Sequence, residues 1–329
     1  MVWIGATLLR NASAIAQWGP AGLLLIGLIL LELGLRALGL GNPPLYVADP
    51  EAGYRLRPHQ RLRRWGKRMV INRHSLRNSD PMGEVSAQSW RVLLLGDSIV
   101  HGGIWTDQAH TISEQMRQFL VSRLGETGMV LNAAAPSWGP QNQWGYLRQF
   151  GTFGAQVVVL LLNTDDLFAP PPTDWPVGRD RQYPHHRPPL ALWEALLLLM
   201  SRPAQRPATR PPSGDPVADN LLTIEQMRQF VQPQAQFLVA LSPLRRELKQ
   251  PGPRDYERVA RQRLADLLQQ GGVPFLDLLP RWNALHNPEA LYRDGIHPSP
   301  AGNVQISQAI AEFILHHAHR HLSQHLSRH

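Results

Sequence analysis

From residue 91 onward the chain repeats one pattern: a short continuous apolar run, then a longer stretch with helical spacing. Residues 91–97, 129–132, 156–162, 236–241 and 273–276 read as strands that are apolar on both faces. Between them, residues 112–124, 141–150, 223–230 and 255–270 carry apolar side chains at helical period. Strands without a polar face need cover on both sides, and long helical connections return each strand parallel to the last. The pattern predicts a parallel sheet covered by helices on both faces.

Ahead of this domain lies an apolar segment, residues 18–40, uninterrupted from Ala21 to Leu31 and followed by Glu32 and Arg36. As a helix it is long enough to cross a hydrocarbon core of about 30 Å, and the Glu32/Arg36 pair at i,i+4 can partly neutralise itself near one end. A cleaved signal peptide needs a small-residue site just after the apolar run. Ala37-Leu38-Gly39 is a poor one, so an uncleaved anchor is favoured. Between Arg55 and Arg77 stand nine basic residues and no acidic one, which carry much of the net charge of +8. Placed just after the apolar segment, they point to anionic lipid headgroups rather than to nucleic acid, with a plain solvated face as the alternative.

The organisation read from these features is an N-terminal segment at 1–17, an anchor at 18–40 and a basic linker at 41–89 with one extended piece around Met69 to Asn72. The α/β domain follows at 90–315, then a His-rich tail at 316–329. The domain is interrupted by a Pro-rich insertion at 169–220, holding Pro170-Pro171-Pro172, Pro188-Pro189 and Pro211-Pro212 around one apolar helix at 190–200. That helix reads as a lid over a pocket, an element resting on a membrane, or a helix packed on the flank. In the tail His316, His317, His319, His321, His325 and His329 include pairs with metal-ligand spacing, such as His317/His321 or His321/His325. No carboxylate accompanies them, so they read as a solvated tail, and no metal or organic cofactor is expected. The absence of cysteine excludes disulfides, thiolate metal sites and a thiol nucleophile.

Chemistry concentrates in two short motifs. Gly96-Asp97-Ser98 closes the first expected strand, and Asp294-Gly295-Ile296-His297 precedes the last expected helix. In an open parallel sheet, reactive groups gather beyond the carboxyl ends of the strands, where Ser98 would stand. Serine needs a base to become nucleophilic; His297 can serve, with Asp294 fixing its tautomer and stabilising the imidazolium. Each motif alone is weak, but together they bracket the domain.

In that combination the chain resembles the SGNH/GDSL hydrolase superfamily over residues 91–315, which implies a three-layer α/β/α sandwich around a parallel sheet of about five strands. The stretches Asp49-Pro-Glu-Ala-Gly-Tyr-Arg-Leu-Arg-Pro58 and Asn72-Arg-His-Ser-Leu-Arg77 resemble the lead-in of its bacterial membrane-anchored members. The resemblance implies Ser98 as nucleophile, Asp294 and His297 as its partners, and an oxyanion hole built from the Ser98 N–H and two further blocks. The second block reads Asn132-Ala-Ala-Ala-Pro-Ser-Trp138, with Ser137 where members carry glycine; its backbone N–H still serves if the backbone angles allow. The third reads Leu162-Asn163-Thr164-Asp165-Asp166, with Asp165 where an asparagine amide is expected. An ionised carboxylate repels a developing oxyanion. Either Asn163 supplies the amide through a shifted turn, burial keeps Asp165 protonated, or the Ser98 and Ser137 N–H groups suffice, the first being preferred.

Nearby, His101 reads as a surface residue at a helix entry rather than a rival base, and Gly102-Gly103 as either a family glycine or a flexible turn. Trp138 and Trp144 serve either a pocket or the core. The expected activity is hydrolysis of a small acyl ester, acetyl foremost, on a carbohydrate or lipid-linked substrate through an acyl-Ser98 intermediate. An O-acyltransferase using the same triad, or an impaired binding or assembly protein of the cell envelope, are the alternatives. A weaker third is a basic juxtamembrane protein whose partner is anionic lipid or nucleic acid. The resemblance places the domain outside the cytoplasm against the charge bias of residues 55–77, a bias that long domains override.

Overall fold

The computed structural model describes residues 2–78, 89–125, 127–200 and 214–323. Helix α1 (Val2–Ala37) contains the stretch Gly19–Ala37, with mean hydropathy 1.8 and none of it buried; it is long and apolar enough to cross a membrane.

The expected linker is largely folded. Strands β1 (Tyr46–Asp49) and β2 (Gly53–Leu56) form one antiparallel hairpin, and β3 (Gln60–Arg64) and β4 (Lys67–Ile71) a second. Burial alternates along β3, so Gln60, Leu62 and Arg64 point inward and only one of the three is apolar. That row escapes a hydropathy reading because its polar members are satisfied from elsewhere. The Gln60 amide accepts from Leu45 N and donates to Leu45 O, and Arg64 donates to Gly39 O. Tyr46, Tyr54, Leu56, Leu62, Met69 and Ile71 join the main core.

The central sheet is wholly parallel. Its strands β5 (Trp90–Gly96), β6 (Gly128–Ala134), β7 (Val157–Asn163), β8 (Gln236–Ser242) and β9 (Phe275–Asp277) lie in the order β6-β5-β7-β8-β9. Nearly every residue of β5 to β8 is buried, as a sheet covered on both faces requires. Helices α2 (Ser98–His101), α3 (Ile112–Leu124), α4 (Pro140–Phe150), α5 (Ala191–Met200), α6 (Pro216–Val231), α7 (Asp255–Gln270), α8 (Leu278–Asn283) and α9 (Pro300–Ser323) complete the chain. Leu93, Leu95, Leu160 and Val239 meet α4, α6 and α7 on one face, while Val92, Leu94, Val159 and Leu161 meet α3, α8 and α9 on the other. The result is a three-layer α/β/α sandwich.

Two expected boundaries move. Helix α6 starts at Pro216, inside the expected insertion, because the Asp215 side chain accepts from Ala218 N and Pro216 suits a first helical position. Helix α9 runs through residues assigned to the tail, burying Ala318 and Leu322, with His316 and His317 exposed on it. Pro211-Pro212, His325 and His329 lie outside the described residues, as do the side chains of His319 and His321. Among the described residues no cluster of three His, Asp or Glu could hold a metal ion.

Candidate active site

The order of the strands reverses between β5 and β7, and a crevice opens there beyond their carboxyl ends. Ser98 stands at this point as the first residue of α2. The Asp97 carboxylate caps the helix by accepting from Ile99 N at 2.8 Å. A first-turn N–H has no helical partner, and among the described residues nothing takes the Ser98 N–H.

The turn before α9 brings His297 across. Its Nε2 lies 3.0 Å from Ser98 Oγ and its Nδ1 2.8 Å from Asp294 Oδ2. Asp294 Oδ1 accepts from Ile296 N and His297 N at 3.0 and 2.8 Å, which fixes the turn. Partial burial alone would raise the Asp294 carboxyl, but these N–H groups and the imidazole outweigh it and hold the carboxyl below its ordinary range. Trp105 packs edge-on to the imidazole with centroids 4.9 Å apart, and the Arg293 guanidinium lies 4.9 Å from the same indole. Such an array can remove the Ser98 proton and hold the imidazolium that results.

Ser137 follows β6 with φ 60, so a non-glycine residue takes the left-handed conformation that glycine favours. Its hydroxyl accepts from Tyr183 of the Pro-rich insertion at 2.9 Å, and among the described residues its own N–H is not taken. Asn163 ends β7 with both ends of its amide engaged: Oδ1 accepts from Asp165 N at 2.8 Å, while Nδ2 donates one hydrogen to Asp97 Oδ2 at 3.0 Å. Asp165 is not buried as one expectation required. Its side chain is 62% exposed at the rim, 3.8 Å from Arg246.

Two buried carboxyls stand beside Ser98 and Asn163, those of Asp97 and Asp166. Burial pushes Asp97 up to about 6, against the hydrogen bond from Ile99 and the attraction of His297. Asp166 is driven well above its ordinary value by burial and by Asp97, although its Oδ2 accepts from Asn163 N at 2.9 Å. Ser98 Oγ therefore stands between His297 Nε2 and Asp97 Oδ2, the latter 3.3 Å away.

His101 is not a surface residue. It is 1% exposed, its Nδ1 accepts from Gly103 N at 3.2 Å, and burial followed by the charge of Arg77 lowers its pKa well below the usual value. With that lone pair engaged and Nε2 carrying the proton, the neutral ring cannot act as a base. Arg77 went unassigned in the sequence, yet its buried guanidinium donates to the carbonyls of His101, Gly103 and Thr106 and so shapes the loop that carries Trp105. Gly103 has φ +60, and a Cβ there would meet the Trp105 ring at 2.4 Å. Trp138 donates to Tyr54 O from the core while touching the cavity, and Trp144 packs on Phe230.

The cavity above Ser98 measures about 880 Å³. Ser137, Trp138, Phe168 and Tyr183 border it on the catalytic side; Pro43, Pro44 and Arg64, together with Glu194 and Leu198 of α5, line the other.

An open parallel α/β sheet bearing a Ser–His–Asp array at its switch point has the parts of a serine hydrolase. Residues 94–304 match the model of the GDSL-like lipase/acylhydrolase family, and the chain belongs to that family, as an esterase of the SGNH type. The acetyl xylan esterase AlAXEase is 14% identical, with TM-score 0.47 over 68% of this chain and 98% of its own. An Enterococcus faecalis lipase/acylhydrolase is 16% identical, with TM-score 0.45 over 68% and 95%. Axe2, an acetylxylan esterase from Geobacillus stearothermophilus studied as a catalytic mutant, is 13% identical, with TM-score 0.46 over 68% and 94%. No curated protein matches the chain.

Proposed function

We propose that Ser98 attacks the carbonyl carbon of a small acyl ester, acetyl foremost, carried by a carbohydrate or lipid-linked alcohol. The Ser98 proton passes to His297 Nε2 as the Oγ–carbon bond forms, and Asp294 stabilises the imidazolium. Collapse of the tetrahedral adduct breaks the ester C–O bond, and His297 returns its proton to the departing alcohol. Water, deprotonated by His297, then releases the carboxylic acid and restores Ser98. The backbone N–H groups of Ser98 and Ser137 serve the oxyanion, with the second amide hydrogen of Asn163 as a third donor. The observation that carries this reading is the unbroken sequence of contacts from Asp294 through His297 to Ser98.

Helix α1 acts as an uncleaved anchor for a domain held outside the cytoplasm. In support, the Glu32 carboxylate accepts from Ala191 N and Leu192 N, and Arg36 donates to Pro189 O. Cleavage near residue 39 would remove both supports from the insertion.

The test is fluorophosphonate labelling and p-nitrophenyl acetate hydrolysis by the full chain in mild detergent, beside Ser98→Ala and His297→Ala. Label on the wild type and loss of hydrolysis by about three orders of magnitude in both variants is the expected result. A folded wild type that neither labels nor hydrolyses refutes the assignment, as does a Ser98→Ala protein of undiminished activity.

A further inference from the structure

Helix α5 exposes apolar side chains around most of its circumference. Leu199 is 85% exposed, Met200 72% and Trp193 51%, and Ala191 is its one buried residue. A helix this apolar on all sides belongs in a core or in lipid.

Its position decides between them. The N–H groups at its start are taken by Glu32, which lies five residues before the end of α1, about 7.5 Å along the axis. Helix α5 thus begins at the level where the apolar stretch of α1 ends. One turn on, Glu194 accepts from Gly41 N at 2.5 Å and pairs with Arg64 at 2.7 Å, tying in the β3–β4 hairpin. The tip of that hairpin is fastened to the same place, since Trp65 N donates to Leu38 O. It presents Trp65, half exposed, between the exposed Arg63 and Lys67. An indole flanked by cations suits the headgroup level of an anionic bilayer. Apolar helix, end of the anchor and cationic tip therefore form one continuous face, and Glu194 and Leu198 on it also line the cavity above Ser98.

We propose that α5 lies in the headgroup–acyl boundary of the bilayer that α1 enters, and that the cavity draws its ester from that bilayer. The substrate class is then an amphiphile, anchored by apolar chains, whose short acyl ester sits at headgroup depth. The substrate half rests on the hydrolase reading above; the placement of α5 does not.

The chain has no cysteine, so single cysteines can be introduced freely. Full-length Leu199→Cys and Gln269→Cys proteins, each labelled with a nitrobenzoxadiazole dye, are reconstituted into vesicles of three parts phosphatidylcholine to one part phosphatidylglycerol. The 199 label should shift to the blue and be quenched by nitroxide-labelled lipid, and the 269 label, at an exposed position of α7, should do neither. A 199 label as aqueous as that at 269 overturns the placement. In the same vesicles, a Leu199→Asp/Met200→Asp protein should hydrolyse an ether phospholipid bearing a 2-acetyl ester about tenfold more slowly than wild type. Its rate on p-nitrophenyl acetate should not change. Equal rates on the lipid overturn the proposed route from the bilayer. The dye reads position without turnover, so a wild type inert towards both esters defeats the hydrolase reading while the spectrum still decides where α5 lies.

Discussion

Arg77 offers a direct test of how the fold builds the site. Burial lowers its guanidinium to about 9, which leaves it charged at neutral pH. It holds the His101, Gly103 and Thr106 carbonyls at 2.5, 2.7 and 2.6 Å. Arg77→Met keeps much of the side chain's volume and removes all three donors. Each orphaned carbonyl costs about 1–2 kcal/mol, partly offset because a cation is no longer buried, for a net loss of about 3 kcal/mol. For a domain of this size that lowers Tm by roughly 6–12 °C. The freed loop carries Trp105 against His297, so kcat on p-nitrophenyl acetate should fall about tenfold at temperatures where both proteins are folded. Arg77→Lys, with one compact charge for three carbonyls, should recover only part of either loss. The assays are a thermal melt in detergent and initial rates on the same samples. A Tm within about 1 °C of wild type, or full turnover after a large drop in Tm, would refute the clamp.

Two further outcomes follow from the carboxylates. Asp165→Asn replaces a charge at the cavity rim with an amide and should raise kcat/KM on p-nitrophenyl acetate about tenfold; a fall would mean that the carboxylate itself is used. Asp97 has a folded pKa of about 6 against an ordinary 3.8, so the native state binds more protons between those values and its stability falls as pH rises through that window, by about 3 kcal/mol. The Tm of Asp97→Asn relative to wild type should therefore climb from pH 4 to pH 7, and a difference independent of pH would contradict the buried charge.

The central sheet and the candidate triad were legible in the sequence because their signals are local. Apolar runs mark β5 to β8, helical spacing gives 112–124 and 255–270 to the residue, and Ser98 and His297 sit in short motifs at strand and helix ends. The rest depends on partners distant in sequence. Strand β3 hides one leucine among arginines, and its buried Arg64 makes sense only with Glu194 beside it. His101 looks like a surface residue until Arg77 and the α2 loop enclose it. Tyr183 stands in a Pro-rich stretch with no period, and its role emerges from the 2.9 Å contact with Ser137. An aromatic inside a proline-rich insertion is a signal that could have raised Tyr183; for Arg77 the sequence offers only one basic residue among nine.

The carboxylate of Glu32 has a practical consequence for anyone preparing this enzyme. Trimming the N-terminal helix to obtain a soluble protein leaves two N–H groups of α5 without their acceptor and Pro189 O without Arg36. One wall of the cavity would then be held from the far side, through Glu194 to Gly41 N and Arg64. On the proposed triad and membrane route, such a trimmed protein should keep its rate on p-nitrophenyl acetate and change its rate on a bilayer-borne ester relative to it, so a substrate survey belongs on the untrimmed chain.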